Sequence, residues 1–429
     1  IHLSIWIFFS VEPSGVNISH VIFSTWVESQ YKMNLLFITP YLPSETSGHA
    51  GAQLILRNII SLAKRHNITL ASFIDSGEYS MIRPLKTAGV KVHTISYPRN
   101  QKSIRGKISS GIQNIKPLAK HLIGAEPFFF AKYNSCKMAT LILTLIDKMD
   151  FDLVQVEYNV MHHYSEQIDG IPKLIIFHDV STKVYERGKD QGDSNNRKLF
   201  EMAKRLEPQI ANKFDLVVTL TEEDKSYLSD LGCESNIEVI PPQIKIINVG
   251  EIQKKENTLC FLGSFNREPN VQAVQILVRE ILPKLSKPVV LNIVGKGLPE
   301  NLINEINRTD SVIYLGFIEE IDVFLASQMI MVAPIKIGAG LKMKISHTLA
   351  CGTAVITTQV GTEGIAIDET NGLWEVTEIS KIPNLINELL PQSNLLIDRG
   401  LKGKAAVEKL FSKEKIISQF ESVYSNLLN

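Results

Sequence analysis

Two lysines that follow a loop of small residues form a candidate anion-binding site. Lys342 and Lys344 lie two positions apart, directly after the Gly-Ala-Gly stretch at 338–340. Small residues let the backbone approach a ligand closely, and fixed positive charge stabilises an anionic group such as a diphosphate. Two lysines at the start of a helix are also typical of a solvated helix face. This spacing alone leaves both interpretations open.

A second set of candidates lies at the ends of two apolar runs. His178 and Asp179 end the run KLIIFHD, and Glu157 lies near the end of DLVQVEY. Ligands of parallel α/β sheets bind outside the carboxyl ends of the strands, so these side chains are placed for recognition or catalysis. A lone His is more often structural. Asp150 and Asp152 have the spacing of a metal-binding pair, but they precede a strand, so we predict no metal site.

Short apolar runs alternate with helical patterns, which predicts parallel strands covered on both faces. The predicted strands include 34–39, 68–73, 152–158, 173–179, 215–221, 289–295, 311–316, 329–334 and 353–358. The predicted helices include 53–66, 277–285, 318–327, 344–350 and 413–428. The sequence therefore predicts an α/β protein with two doubly wound, Rossmann-like domains that face each other across a cleft.

The pattern breaks in a Lys-rich stretch after residue 241, which divides the chain. We predict an extension at 1–32, a first domain at 33–245, a linker at 246–257, a second domain at 258–411 and a C-terminal helix at 412–429. We expect that helix to pack back on the first domain. Residues 1–32 are apolar at the start but lack the basic lead and cleavage site of a signal peptide. They are either an upstream extension or a fragment artefact, and we assign no functional residue to them.

Composition excludes several classes of protein. The 429 residues carry 45 Lys+Arg and 45 Asp+Glu, with 44% apolar and 7% aromatic residues. This balance argues against disorder and against a nucleic-acid partner. Four scattered cysteines indicate neither a disulfide framework nor a zinc site and fit a reducing compartment. No apolar run is long enough to span a bilayer, so we predict a cytoplasmic protein.

Three stretches of the second half resemble the donor-binding domain of family four retaining glycosyltransferases, also called group 1 glycosyltransferases, which have the GT-B fold. They are FLGSFNREPNVQAVQILVREILPKL at 261–285, LGFIEEIDVFLASQMIMVAPIKIGAGLKMK at 315–344 and HTLACGTAVITTQVGTEGI at 347–365. A Gly-Ala-Gly-x-Lys loop is typical of one branch of this family. The resemblance extends from residue 33 to the C-terminus, but its motifs are specific only in the second half.

This resemblance implies an acceptor-side first domain and a nucleotide-sugar donor domain. The implied donor-binding residues are Gly263, Arg267, Gly340, Lys342, Lys344, His347 and Glu363. The stretch SGHAGAQ is similar to the loop by which the family approaches the donor phosphate and the acceptor, through Gly48 and Gly51. His178 and Glu157 are the implied catalytic residues.

The sequence departs from the common family pattern at four positions. Ala339 and His347 replace two glutamates, of which the second holds the nucleotide ribose. A neutral imidazole accepts one hydrogen bond, whereas a carboxylate accepts one from each ribose hydroxyl. Ser264 and Pro269 replace an Arg and a Lys, and Arg267 is a candidate substitute.

The resemblance implies a retaining, metal-independent hexosyltransferase that needs no cofactor beyond its nucleotide-diphosphate sugar substrate. The expected acceptor is a glycan or a lipid-linked sugar in cell-envelope or exopolysaccharide biosynthesis. One alternative is a non-catalytic GT-B partner that stabilises a transferase, which the replaced residues favour. Another is a nucleotide-sugar 2-epimerase, which needs acid/base carboxylates that the cleft loops offer sparingly.

One region has a strong charge asymmetry. Residues 79–125 contain nine Lys or Arg and no Asp or Glu. With interspersed isoleucines, such a segment is suited to rest on an anionic membrane, which would place the protein peripherally on the inner face of the membrane. A solvated loop and helix is the alternative.

Overall fold

Two parallel β-sheets form the frame of the protein. The structure is a computed structural model and describes residues 32–46, 50–97, 114–190 and 194–429. Within this part, seven strands form the first sheet in the order β3-β2-β1-β4-β5-β6-β7, with all neighbours parallel. They are β1 (Asn34–Thr39), β2 (Asn67–Ile74), β3 (Lys91–Ser96), β4 (Leu153–Glu157), β5 (Lys173–Phe177), β6 (Leu216–Thr219) and β7 (Ile237–Val239).

The second sheet has the same doubly wound character. Six strands of the described part pair in the order β10-β9-β8-β11-β12-β13, again all parallel. They are β8 (Thr258–Leu262), β9 (Val290–Val294), β10 (Val312–Gly316), β11 (Ile330–Ala333), β12 (Ala354–Thr358) and β13 (Leu373–Val376). The strand order reverses at β1 in the first sheet and at β8 in the second, and such a switch point opens a crevice for ligands.

Helices connect the strands. Those of the first domain are α1 (Ala50–Leu62), α2 (Arg83–Thr87), α3 (114–122), α4 (Phe128–Ala131), α5 (Cys136–Lys148), α6 (Ser181–Asp190), α7 (Ser194–Ala211) and α8 (Glu222–Asp230). Those of the second domain are α9 (Glu268–Ile276), α10 (Glu300–Ile306), α11 (Ile321–Ser327), α12 (Met343–Ala350), α13 (Gln359–Thr362), α14 (Ile382–Leu389) and α15 (Ser393–Phe411). The last helix of the chain is α16 (Lys413–Leu428).

The strands are buried because helices cover both faces of each sheet. In β1, Leu35 and Phe37 pack on the side of α1 and α16, whereas Leu36 and Ile38 pack on the side of α5. Successive side chains of a strand point to opposite faces, so a continuous apolar run must be covered twice. The predicted α/β architecture of two doubly wound, Rossmann-like domains is confirmed.

Several predicted elements differ in extent. The helix predicted at 277–285 begins earlier, as α9 at Glu268, and continues through a π-turn at Leu277–Ile281 and a 3₁₀ turn at Leu282–Lys284. Pro269 lies in the first turn of α9, where a missing N–H costs nothing. The short strands β7 and β13 were not predicted, because a glutamate interrupts the apolar run in each of them, IEV and LWEV.

The chain crosses between the domains twice. Residues 240–257 form neither helix nor strand, although Ile244 and Ile247 are buried in the core of the second domain. The return crossing follows α15, where Ser412 caps the N-terminus of α16. Helix α16 then packs on the first domain through its apolar stripe, which comprises Ile416, Ile417, Phe420, Val423 and Tyr424.

Candidate functional site

Loops that follow strands of the two sheets meet in one place. His178 and Asp179 lie between β5 and α6, and residues 334–342 follow β11. A Cβ atom at Gly340 would lie 2.3 Å from Asp179 Oδ1 and 2.7 Å from the His178 carbonyl oxygen. Only a glycine permits this contact between the domains. The carboxyl ends of the two sheets therefore border one shared site, where α/β proteins bind ligands.

Glu157 and His178 form a buried pair on the first domain's side of this site. Glu157 is the last residue of β4, and His178 directly follows the neighbouring strand β5. His178 Nε2 lies 2.7 Å from Glu157 Oε2, and Gln155 Nε2 donates to Glu157 Oε1 at 2.6 Å. An ionised carboxylate only accepts hydrogen bonds, so His178 Nε2 carries a proton and donates it. Pairing of β4 with β5 thus brings the two predicted catalytic residues together.

The Tyr158 ring stacks on the His178 ring. The two rings are stacked with centroids 3.8 Å apart and an interplanar angle of 4°. Tyr158 adopts a φ of 74°, in the left-handed region, which is unusual for a residue with a side chain. A Cβ atom at Gly51 would lie 1.7 Å from the Tyr158 hydroxyl oxygen. Gly51 therefore makes room for Tyr158, and its predicted phosphate role stays a prediction. Gly48 lies outside the described residues.

Lys342 lies against the small-residue loop of the second domain. Its Nζ donates to the carbonyl oxygens of Ala339 at 2.8 Å and Gly340 at 2.6 Å, and lies 3.5 Å from Glu363 Oε2. Gly340 has a φ of 64°, in the left-handed region that favours glycine. Burial lowers the pKa of Lys342, while Glu363 opposes the shift.

Lys344 is the second cation of the loop. Its Nζ donates to Asn270 Oδ1 at 2.5 Å and lies 4.7 Å from the centre of the Phe261 ring. Burial, with a smaller contribution from Lys342 and Arg267, lowers the pKa of Lys344 to about 7. Because these contacts include no carboxylate, an anionic ligand would favour the protonated form of Lys344.

Glu363 joins the two domains at the centre of the site. Lys183 Nζ lies 3.0 Å from Glu363 Oε1, and Arg187 makes a bidentate contact with both carboxylate oxygens. Arg187 also donates to the carbonyl oxygen of Gly338. These contacts and Lys342 lower the pKa of Glu363, although burial opposes them. Three cations from the two domains thus converge on this carboxylate.

Lys183 and Arg187 were missed in the sequence analysis. They lie four residues apart on α6, so they project from one face of this helix. The signal that could have found them is this i, i+4 pair in the helix that directly follows the His178 strand. Lys183 is also held by Asp224, whose Oδ1 lies 3.0 Å from Lys183 Nζ.

Asp179 lies near Lys342 and Arg267. The residue is exposed, although the backbone at Gly340 of the second domain lies against its carboxylate. This desolvation raises the pKa of Asp179 to about 6, against the opposing effect of Lys342. A carboxyl group with a raised pKa at a cleft is a candidate for proton transfer or substrate contact.

His347 has a carboxylate partner of its own. His347 Nε2 lies 2.7 Å from Asp322 Oδ1, and Lys245 Nζ lies 3.2 Å from Asp322 Oδ2. The hydrogen bond from His347 is the largest effect on the Asp322 carboxyl and lowers its pKa to about 2. Burial acts in the opposite direction. One of the two ring nitrogens of His347 is therefore already engaged by a carboxylate.

The second domain matches a known protein family. The model described as "Glycosyl transferases group 1" aligns with residues 256–391, from the start of β8 to the end of α14. This stretch matches the group 1 glycosyltransferases. The match contains Lys342, Lys344, His347 and Glu363, whereas Glu157, His178 and α6 lie outside it.

Relatives agree with this family match. Over 185 residues the chain is 28% identical to N-acetyl-alpha-D-glucosaminyl L-malate synthase of Bacillus anthracis, which covers 41% of this chain and 47% of that protein. The chain thus spans about half the length of this curated relative. Among solved structures it is similar to the sucrose-phosphate synthase of Thermosynechococcus elongatus, with a TM-score of 0.68 at 17% identity over 92% of this chain and 99% of that one.

A further structural neighbour is the Anabaena protein HepE in complex with UDP and glucose. Its TM-score is 0.65 at 15% identity, over 92% of this chain and 100% of that one. At such identities the likeness concerns the fold alone. The predicted GT-B fold is confirmed.

Two predicted donor-binding residues lie between β8 and α9. Arg267 is the N-cap residue of α9 and is exposed. Its charge lowers the pKa values of both Asp179 and Lys344, which indicates that it lies near the shared site. Gly263 gives Asn270 room, since a Cβ atom there would lie 2.8 Å from Asn270 Cγ. Their donor contacts stay predictions.

Two side-chain groups in the described ranges have donor atoms close enough to hold a metal ion. In the first domain, Glu126, His162 and His163 border a cavity of about 340 Å³. There Lys120 Nζ lies 3.0 Å from Glu126 and already neutralises its charge. The other group is Asp322, His347 and Cys351. Burial raises the pKa of Cys351 to about 12, which keeps this thiol protonated and a poor ligand.

The structure describes only part of the positively charged segment at 79–125. Residues 98–113 lie outside the described residues, whereas α3 presents Ile115, Leu118 and Leu122 to solvent beside Lys116. Among the helices that the structure describes, none is both long and apolar enough to cross a bilayer.

Proposed function

We propose that this protein is a retaining glycosyltransferase that moves a sugar from a nucleoside diphosphate donor to a hydroxyl group of a glycan or lipid-linked acceptor. One observation carries the proposal. Three cations converge on Glu363, namely Lys183 and Arg187 of the first domain and Lys342 of the second. His178 lies against the same loop of the second domain, at the carboxyl end of β5. The family match of residues 256–391 and the UDP complex of HepE support this reading.

The cations have a direct chemical use in this reaction. Cleavage of the sugar–phosphate bond leaves negative charge on the diphosphate, and fixed positive charge lowers the barrier. A bound diphosphate would compete with Glu363 for Lys342 and Arg187, because phosphate and carboxylate oxygens accept the same hydrogen bonds. Lys183 and Arg187 would then supply the charge that Ser264 and Pro269 do not.

His178 would contact the transferred sugar. Its Nε2–H is fixed by Glu157, so Nδ1 is left as an acceptor for a hydroxyl group. Retention would follow if the acceptor attacks from the face that the diphosphate leaves, with a phosphate oxygen taking the acceptor proton. The reaction as proposed uses no metal or other cofactor.

If the acceptor is lipid-linked, the protein would reach it from a membrane surface. The exposed apolar side chains of α3 and the basic residues around them are the features of a segment that rests on anionic lipids. We propose that the protein works at the cytoplasmic face of the membrane, in cell-envelope or exopolysaccharide synthesis. Co-sedimentation with anionic vesicles at low salt tests it, and the absence of binding would contradict it.

The first experiment is a thermal-shift panel with UDP, GDP, ADP, CMP and dTDP. A ligand that binds only the folded state at 100 times its Kd stabilises it by about 2.7 kcal/mol. We expect one diphosphate to raise the Tm, K342A to abolish the shift and the exposed-site variant K402A to retain it. The anomeric configuration of the product, read by NMR, then tests retention.

A different outcome favours a second function. If no nucleotide stabilises a folded protein, the chain is better described as a non-catalytic GT-B partner of a transferase. The observation that favours this function is the engagement of His347 by Asp322, at the position where the family places its ribose-binding carboxylate.

A further inference from the structure

Four buried side chains connect the C-terminal helix to His178. Tyr424 of α16 donates to Gln155 Oε1 at 2.5 Å. Gln155 then donates to Glu157 Oε1 at 2.6 Å, and Glu157 Oε2 accepts from His178 at 2.7 Å. All four residues are less than 9% exposed, and Tyr424 and Gln155 are fully buried. This chain of hydrogen bonds runs through the core of the first domain.

We propose that Tyr424 and Gln155 are positioning residues, which fix the ring orientation and the proton position of His178. The proposal rests on the proposed function, in which His178 contacts the substrate. It adds a role for the last helix of the chain, which is otherwise explained by packing alone.

The donors and acceptors of this hydrogen-bond chain all follow one direction, from Tyr424 towards Glu157. The carboxylate of Glu157 can only accept, so Gln155 must present its NH₂ group to Glu157 and its carbonyl oxygen to Tyr424. Reversal of the Gln155 amide would set its oxygen against the Glu157 carboxylate, and the Tyr424 hydroxyl would lose the carbonyl oxygen to which it donates. With both of its oxygens engaged, Glu157 holds His178 Nε2 as the protonated nitrogen. A third group that orients the partner of a catalytic side chain is a recurrent device in enzymes.

Two independent contacts restrain the His178 ring. Glu157 holds its edge, and Tyr158 covers its face at 3.8 Å. At the other end, Tyr424 is held in the core beside Phe420 and His66. Since Tyr424 cannot shift without disturbing this packing, the hydrogen-bond chain has a fixed origin. Hydrogen bonds in such a low-dielectric interior are strengthened by their neighbours.

The test compares Y424F with Y164F. Both variants remove one hydroxyl from a buried tyrosine of the first domain, and Tyr164 OH donates to the Tyr133 carbonyl oxygen, outside the chain. We expect Y424F to change the ¹⁵N resonances of the His178 imidazole towards a mixture of tautomers. We expect Y164F to lower the Tm without this change. Identical His178 resonances in Y424F and the unmodified protein would overturn the proposal.

Kinetics give a second readout. We expect Y424F to lower kcat about fivefold, the effect of one net hydrogen bond, and to leave the nucleotide Kd unchanged. If Y424F does not fold, Q155M, which keeps the shape but removes the donor to Glu157, replaces it with the same expectations. If the protein bound no nucleotide, the proposed function would be contradicted. The NMR comparison would still decide whether the hydrogen-bond chain positions His178.

Discussion

Arg187 and Glu363 join the two domains through a bidentate ion pair. Arg187 Nη1 lies 3.0 Å from Glu363 Oε2, and Nη2 contacts the other carboxylate oxygen. A guanidinium group fits a carboxylate and a phosphate in the same planar, two-pronged manner. Arg187 is therefore placed to hold either the protein's own carboxylate or a phosphate of the donor.

Removal of the Glu363 charge should separate these two uses. We expect E363Q to lower the Tm, because a buried pair that loses one partner costs about 3–5 kcal/mol. We also expect a nucleoside diphosphate to stabilise E363Q more than the unmodified protein, since the ligand no longer competes with a carboxylate. Differential scanning fluorimetry measures both effects. E375Q, which alters an exposed glutamate of the same domain, is the control. A smaller ligand-induced Tm shift in E363Q than in the unmodified protein would contradict competition between Glu363 and the donor phosphate.

Gly340 tests the contact between the domains. We expect G340A to weaken nucleotide binding and activity, because the new Cβ atom would meet Asp179 Oδ1 at 2.3 Å. The matched control is G316A in the same domain. Gly316 has the same φ of 64°, but nothing lies within 4 Å of its Cβ position. Both variants carry the strain of a side chain at positive φ. A difference in their nucleotide affinities, measured by isothermal titration calorimetry, therefore reports the contact of residue 340 with Asp179. Equal affinities in the two variants would contradict it.

His178 should affect activity and stability together. We expect H178F to abolish most activity and to lower the free energy of unfolding by about 1–3 kcal/mol, since Glu157 would be left buried without this donor. The aromatic ring retains the stack on Tyr158. Urea unfolding and a transferase assay measure the two effects. H93F, which changes a half-buried histidine of β3, should leave activity intact; a fully active H178F would remove His178 from the site.

Lys344 should make stability depend on pH. Its pKa falls from 10.5 to about 7 in the folded protein, so between these values the unfolded chain holds a proton that the native state has released. Stability then rises with pH over this window, and below pH 7 the native state carries the full cost of the buried charge. We expect K344M to stabilise the protein at pH 6 by an amount on the order of 2 kcal/mol, and this gain to shrink towards pH 10.5. Urea unfolding across pH measures it, and K402M, at an exposed site, should show no such trend.

His347 tests the proposed ribose contact. H347E alone would place a second carboxylate beside Asp322, which now lies 2.7 Å from the imidazole nitrogen. We expect it to destabilise the protein by about 1 kcal/mol and not to tighten nucleotide binding. The double variant H347E/D322N removes the repulsion, and we expect it to bind the nucleotide more tightly. Calorimetric titration compares them; an unchanged affinity in the double variant would place the ribose elsewhere.

Much of the fold followed from local patterns. Continuous apolar runs such as 34–39 and 173–179 predict buried parallel strands, because each residue must be covered on one face of a sheet or the other. That rule also placed Glu157 and His178 at strand ends, where the structure brings them to 2.7 Å. The weak elements were the short strands β7 and β13, whose pairing comes from neighbouring strands rather than from their own sequence.

The sequence by itself determined the two doubly wound domains and the lysines after the Gly-Ala-Gly loop, since periodicity and glycine placement are local properties. Only the tertiary structure decided that Arg187 meets Glu363, and that Tyr424 reaches Gln155. These partners are 176 and 269 residues apart in the chain. Such contacts depend on how two separately folded sheets and the returning helix α16 are oriented, and on which rotamer each long side chain adopts. No local pattern encodes that orientation, because it results from the packing of all the elements together.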